Sequence, residues 1–151
     1  MTPVPQPLPS AVLFVCTHNV IRSPMAAALM HHYFGHRVYV ASAGIRPTDP
    51  DPFVGVVMEE IGIDLFSHRP HLIEDLEDMS FDVVVSLSPE AHHRAVDLTR
   101  TMAIDIEYWP TVDPSATTGS REHILDAYRA VRDGLARKIL ARFPREQARG
   151  V

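Results

Sequence analysis

Residues 11–16, Ala-Val-Leu-Phe-Val-Cys, are apolar at every position, and no other feature of the chain narrows its fold as sharply. So short a run suits a strand better than a helix, and a strand without polar positions must be covered on both faces. Parallel sheets flanked by helices meet that demand, and the rest of the chain alternates accordingly. "SPMAAALMHHYFG" predicts a helix with Ser23 as N-cap, Pro24 at the first helical position and Gly35 as its stop. Further strands are expected at Arg37–Ser42, Phe81–Ser88 and Ala103–Trp109. Helices are expected in "FVGVVMEEIG", closed by Gly62, and in "PEAHHRAVDLTR". A last helix starts near Ser120, places Ile124, Tyr128, Val131, Leu135 and Ile139 on one face, and closes before Pro144. Strand–helix alternation implies right-handed crossovers, hence one α/β domain with helices on both faces of a parallel sheet.

Length and charge bound what such a domain does. With 151 residues it can bury a full core without disulfides or metals. A net charge of −5 argues against nucleic acid or an anionic membrane as partner, and no apolar run is long enough to span a bilayer. "MTPVPQPLPS" lacks a basic patch followed by an apolar stretch, so it does not read as a secretory signal; its prolines predict a flexible lead-in over residues 1–10. The domain itself is expected over 11–144, with a tail at 145–151. A single cysteine, Cys16, excludes an intramolecular disulfide and suits the reducing cytoplasm. There it is either core filler or a chemical tool.

In an open parallel sheet, ligands bind beyond the carboxyl ends of the strands. Cys16 closes the first expected strand, Ser42 the second, and Asp113 follows the fourth, so all three belong to one rim. The segment Cys16–Arg22 joins a strand to a helix N-terminus. A loop there can aim successive backbone N–H groups at one point, forming an anion nest reinforced by the helix dipole. The Arg22 guanidinium adds bidentate recognition of a tetrahedral oxyanion, and the same positive surroundings favour a thiolate at Cys16. A phosphate-like dianion held over a nucleophile is the arrangement for in-line displacement at phosphorus. An alkoxide or phenoxide leaves poorly without a proton donor, and Asp113, kept extended by Pro114, is the expected acid; Asp49 and Asp51, also followed by prolines on the same rim, compete for that role. His31, His32 and His36 share one expected helix and His92 and His93 another. No cysteine or carboxylate set completes a metal-ligand pattern with them, so neither a metal nor another cofactor is expected.

"VLFVC…N…RSPMA", together with "SAG" (Ser42–Gly44), "SHRP" (Ser67–Pro70) and Asp113-Pro114, resembles the low-molecular-weight protein tyrosine phosphatases and the arsenate reductases that share their fold. With the alternation above, the resemblance implies a four-stranded parallel sheet in the order 2-1-3-4, with a phosphate-binding loop after the first strand. The loop would comprise Thr17, His18, Asn19, Val20, Ile21, Arg22 and Ser23. By resemblance, Cys16 is the nucleophile, Arg22 the oxyanion clamp and Asp113 the general acid. Asn19, Ser23, Ser42 and His68 would hold the loop in shape. Bland alternatives stand beside these roles: Asp113 as a turn residue, His68 as a surface histidine, Ser23 as a cap, Ser42 as a strand end.

The sequence also departs from the phosphatases. His18 stands where they usually carry glycine, and a Cys-x-His-Asn start is more like some arsenate reductases. Ile21 replaces a second loop cysteine, and Ser115 and Ala116 stand where eukaryotic-type phosphatases place aromatic residues. "SLSPEAHH" also differs from the usual acidic segment after the third strand. The resemblance therefore implies either of two activities. One is a phosphatase acting on aryl phosphate or phosphotyrosine-type monoesters through a phospho-cysteine intermediate. The other is an arsenate reductase that, lacking a second thiol, needs an external low-molecular-weight thiol or glutaredoxin-type partner. A non-catalytic anion-binding module, with a slow-reacting Cys16, is the third reading. Asp113 favours the phosphatase. The substrate would be a phosphorylated protein or small aryl phosphate, and the protein a monomer or weak dimer.

Overall fold

In the computed structural model, residues 7–150 are described; most of the expected N-terminal lead-in, residues 1–6, lies outside them. Four strands, β1 (Ala11–Cys16), β2 (Tyr39–Gly44), β3 (Val83–Ser86) and β4 (Asp105–Tyr108), pair in parallel in the order β2-β1-β3-β4, the order expected. Helices α1 (Arg22–Phe34), α2 (Val54–Glu59), α3 (Pro89–Thr99) and α4 (Arg121–Arg142) link or follow the strands. Among the described residues, no helix is long and apolar enough to cross a membrane.

The β1 run explains the layering. Its side chains alternate between faces, so Val12, Phe14 and Cys16 enter one core with α1, α2 and α4, while Leu13 and Val15 enter another with Ala91 and Ala95 of α3. Every β1 residue is buried, as a central strand covered on both sides requires. Cys16 therefore emerges on the α1 side, at the carboxyl end of the sheet.

Several boundaries move, each for a hydrogen-bonding reason. β2 begins at Tyr39, not Arg37, because the N–H groups of Arg37 and Val38 both return to the Phe34 carbonyl at the end of α1. It runs past Ser42 to Gly44, which pairs with Cys16, so Ser42 lies within the strand rather than at its end. β3 and β4 are each four residues long, shorter than expected. α1 begins at Arg22 with Ile21 as N-cap, so Ser23 does not cap it and Pro24 falls at the third helical position, where its missing N–H still costs nothing. Gly62, at φ +79°, closes the turn after α2, its N–H on Glu59 O and that of Ile63 on Met58 O. α4 starts beside Ser120, as expected, and Ser120 caps it by accepting from the His123 N–H.

Near the chain ends, the Ser10 and Ala11 N–H groups donate to Asp82 Oδ2. Arg145–Gln147 form a single 3-10 turn, and the Arg149 N–H donates to the Tyr33 carbonyl of α1.

α2 is clasped to α4 by charge. Glu60 accepts from Arg129 Nη2 at 2.7 Å and from Arg132 Nη1 at 2.8 Å, and Arg132 Nη1 also donates to Val57 O. The Arg129 hydrogen bonds, opposed by partial burial and aided by Arg132, pull the Glu60 carboxyl from 4.5 down to about 2. A depressed carboxyl contributes stability above its unfolded value that is lost as pH falls through the folded one. Glu60→Gln should therefore cost about 1 kcal/mol at pH 7, a figure discounted for solvent screening. The gap to the unmodified protein should close between pH 5 and pH 2 in urea titrations; a gap independent of pH would count against this clasp.

Candidate active site

Cys16 ends β1, and the chain then folds back over its own sulfur. The Asn19 N–H approaches Sγ at 3.2 Å, the Ser23 N–H at 3.4 Å and the Ser23 hydroxyl at 2.9 Å. Backbone N–H groups from both sides of the loop thus point inward, at the start of α1, whose N-terminal turn faces the same point.

Asn19 makes this curl possible. Its φ of +58° lies in the left-handed region, which asparagine tolerates better than most side chains. Its amide nitrogen donates to Ser23 Oγ at 2.8 Å and Ser42 Oγ at 2.9 Å, and its Oδ1 accepts from the His71 N–H at 3.0 Å. His68 Nε2 lies 2.9 Å from the Asn19 carbonyl, to which it donates. Burial, opposed by that hydrogen bond and aided by the charge of His71, lowers the pKa of His68, so the ring stays neutral while it donates. Asn19, Ser23 and Ser42 are all buried, and each of their side chains is hydrogen-bonded. Gly44 supplies the remaining room: a Cβ there would lie 2.7 Å from the His18 carbonyl carbon and 2.9 Å from Asn19 N.

Two further ties fix the loop from the other side. Thr17 Oγ1 donates to Ser88 Oγ at 3.0 Å, and Ser88 caps α3. The Thr17 carbonyl accepts from the N–H groups of Ile45 and Arg46. Ile21, in place of a second loop cysteine, is buried in the α1-side core.

Arg22, on the first turn of α1, donates through Nη1 to the Thr111 carbonyl at 3.1 Å and lies 3.8 Å from Asp113 Oδ2 through Nη2. Asp113 precedes the short turn Pro114–Ala116 and accepts from the Ser115 N–H at 2.9 Å. Burial would raise its pKa, but Ser115, Arg22 and His18 outweigh it and hold the carboxyl below its ordinary value. Cys16, His18, Val20, Ile21, Arg22, Asp113 and Ser115 line one cavity of about 260 Å³, closed on its remaining side by the segment 48–52. The expected nucleophile, clamp and acid thus share one cavity, while Asn19, Ser23, Ser42 and His68 sit behind it.

Asp49 and Asp51, the competing acids, also line the cavity. Asp51 is committed elsewhere: Oδ1 accepts from the N–H groups of Phe53 and Val54, and Oδ2 accepts from Tyr128 Oη at 2.7 Å. Among the described residues, no three His, Cys, Asp or Glu side chains are grouped to hold a metal ion. His92 instead bonds Ser86 Oγ through Nδ1 and stacks on Tyr108.

Sequence reasoning missed His71, Thr111 and Ser88. The first two act through backbone groups, to which side-chain identity gives no clue, and Ser88 is visible only as a cap before Pro89.

A sequence model of the family described as low molecular weight phosphotyrosine protein phosphatase matches residues 11–146. An arsenate reductase of Shouchella clausii is 32% identical over 129 residues, covering 85% of this chain and 91% of that protein. A glutaredoxin arsenate reductase of Synechocystis sp. is 34% identical over 76 residues, half of this chain and 58% of that protein. Among solved structures, an arsenate reductase in the oxidized state superposes with a TM-score of 0.71 at 26% identity, covering 88% of this chain and 95% of the other. With the family match spanning nearly the whole domain and the fold shared with a solved relative, this chain belongs to the low molecular weight phosphotyrosine protein phosphatase family.

Proposed function

We propose that this protein is a cysteine-dependent phosphatase hydrolysing aryl phosphate or phosphotyrosine-type monoesters, acting in a reducing compartment where its lone thiol persists. The observation that carries this reading is Asp113, a carboxyl group on the same cavity as Cys16 and 3.8 Å from Arg22. In the first step Cys16 Sγ forms a bond to phosphorus as the ester oxygen departs with the Asp113 proton. In the second, water attacks the phospho-cysteine, Asp113 takes its proton, and the S–P bond breaks to release phosphate. Ser115, Arg22 and His18 hold the Asp113 carboxyl below its ordinary value, so it must gain a proton for the first step. A bound dianion favours this, because it engages Arg22 and sets its own negative charge beside the carboxyl.

A second reading has its own support: the curated relatives above are arsenate reductases, and one is named for glutaredoxin. With Cys16 as its one cysteine, this chain could turn over arsenate only by passing the arsenic–sulfur adduct to an external thiol. Purified protein assayed in parallel for nitrophenyl phosphate hydrolysis and for arsenate reduction with glutathione or glutaredoxin separates the two. Hydrolysis without metal or thiol is expected. Arsenate turnover with negligible hydrolysis would overturn the phosphatase reading. Asp113→Asn should slow alkyl phosphates at least about tenfold more than nitrophenyl phosphate, whose phenolate leaves with little help. Equal losses on both would assign Asp113 a positional role.

A further inference from the structure

The cavity has an acidic lining and, among the described residues, no aromatic wall. Neither Phe, Tyr nor Trp lines it, so stacking on a substrate ring is absent. A bound phosphoryl group occupies Arg22, so charge is left to discriminate among leaving groups and their flanks. Three carboxylates, Asp49, Asp51 and Asp113, line the cavity. Asp51 is tied to Tyr128 and to the start of α2, and Asp113 to Ser115 and Arg22. Asp49 differs: it is exposed and, among the described residues, has no hydrogen bond or ion pair.

Its backbone holds it in place. In "RPTDPDP", prolines at 47, 50 and 52 fix their own φ and favour extended backbone at the residues before them, Arg46, Asp49 and Asp51, so the exposed Asp49 carboxylate is presented at little entropic cost. The nearby arginines do not neutralise it. Arg46 is paired with Glu90 at 2.7 Å, and Arg22, in the same cavity, is engaged by the Thr111 carbonyl and lies 3.8 Å from Asp113. His18, which lines the same cavity, is the one other ionisable group of the loop besides Cys16 and Arg22.

We infer that Asp49 is a specificity-determining residue that selects phosphomonoesters carrying positive charge beside the phosphorylated group, such as a phosphotyrosine flanked by lysine or arginine. This deepens the phosphatase reading and rests on it. An exposed carboxylate several ångströms from a substrate ammonium, in an effective dielectric between protein and water, changes affinity about fivefold at low salt, and less as salt screens it.

The test uses two phosphotyrosine peptides, identical except for lysine or glutamate on either side of the phosphotyrosine. Their binding is measured by fluorescence anisotropy on Cys16→Ser protein, and their kcat/KM on protein with Cys16 intact. The lysine peptide should be preferred about fivefold or more at low salt. Asp49→Asn should reduce the ratio severalfold, and Asp49→Lys should reverse the preference. An unchanged ratio in Asp49→Lys, an equal loss for both peptides in Asp49→Asn, or the absence of peptide binding to Cys16→Ser would overturn the inference. Nitrophenyl phosphate hydrolysis by the unmodified protein reports separately on the phosphatase reading. Its failure alongside a charge-dependent peptide preference would place the error in the reaction, not in Asp49.

Discussion

Replacing Cys16 with serine is expected to lower kcat for nitrophenyl phosphate by at least about 10⁴-fold while phosphate still binds. The loop gives the reason for both halves. Sγ is the atom on which the Asn19 and Ser23 N–H groups converge, so the proposed nucleophile sits at the focus of the loop's donors. A serine hydroxyl at this position needs a base to become a nucleophile. His68, behind the loop, has its Nε2 committed to the Asn19 carbonyl. Arg22, its Thr111 anchor and the inward N–H groups do not depend on sulfur, so anion binding should survive, within a few-fold in Kd by calorimetry. Turnover near that of the unmodified protein would exclude a phospho-cysteine route. Loss of phosphate binding with an unchanged melting curve would mean that sulfur also shapes the nest.

Asn19→Ala should be the most damaging change outside the reacting atoms. It removes the amide donors to Ser23 and Ser42 and the acceptor for the His71 N–H, all in a buried setting where each unpaired group costs about 1–3 kcal/mol. It also asks alanine to hold φ +58°, a further penalty of about 1 kcal/mol. The expected loss is about 3–5 kcal/mol of stability by urea unfolding, with kcat down at least about 100-fold. Asn19→Gly separates the two causes. Glycine relieves the backbone penalty and should unfold later than alanine, yet it supplies no side-chain hydrogen bonds and should remain equally poor in kcat. Recovery of activity with glycine would mean that backbone geometry alone, not the Asn19 side chain, sets the loop.

The sheet order and the layering are legible in the sequence because β1 is apolar throughout and the strands are separated by recognisable helices. Strand ends are less so. Nothing in "RVYVASAG" announces that Arg37 and Val38 stay bonded to Phe34, or that pairing with Cys16 extends the strand to Gly44. Ser23 illustrates a deeper limit. Ser-Pro before an apolar run reads as a cap, but the helix starts two residues earlier, and the hydroxyl contacts Cys16 Sγ and accepts from Asn19 Nδ2. Local pattern can place Cys16, Arg22 and Asp113 on one rim. It cannot show that Asp51 is taken by Tyr128 while Asp49 stays free, because both are followed by proline and differ only in tertiary partners.

The loop is seven residues long, yet what holds it comes from far along the chain: Ser42 is 23 residues from Asn19, His68 is 49, His71 is 52, and Thr111 is 89 from Arg22. Contacts of such sequence separation form slowly, because the intervening chain must be closed first. During synthesis, Cys16 and Arg22 emerge early, but the carbonyl that aims the guanidinium is made only after about three-quarters of the chain. The proposed nucleophile and its clamp are therefore assembled only in the finished tertiary structure, and an unfinished or unfolding chain holds Cys16 and Arg22 without the distant partners that bring them together.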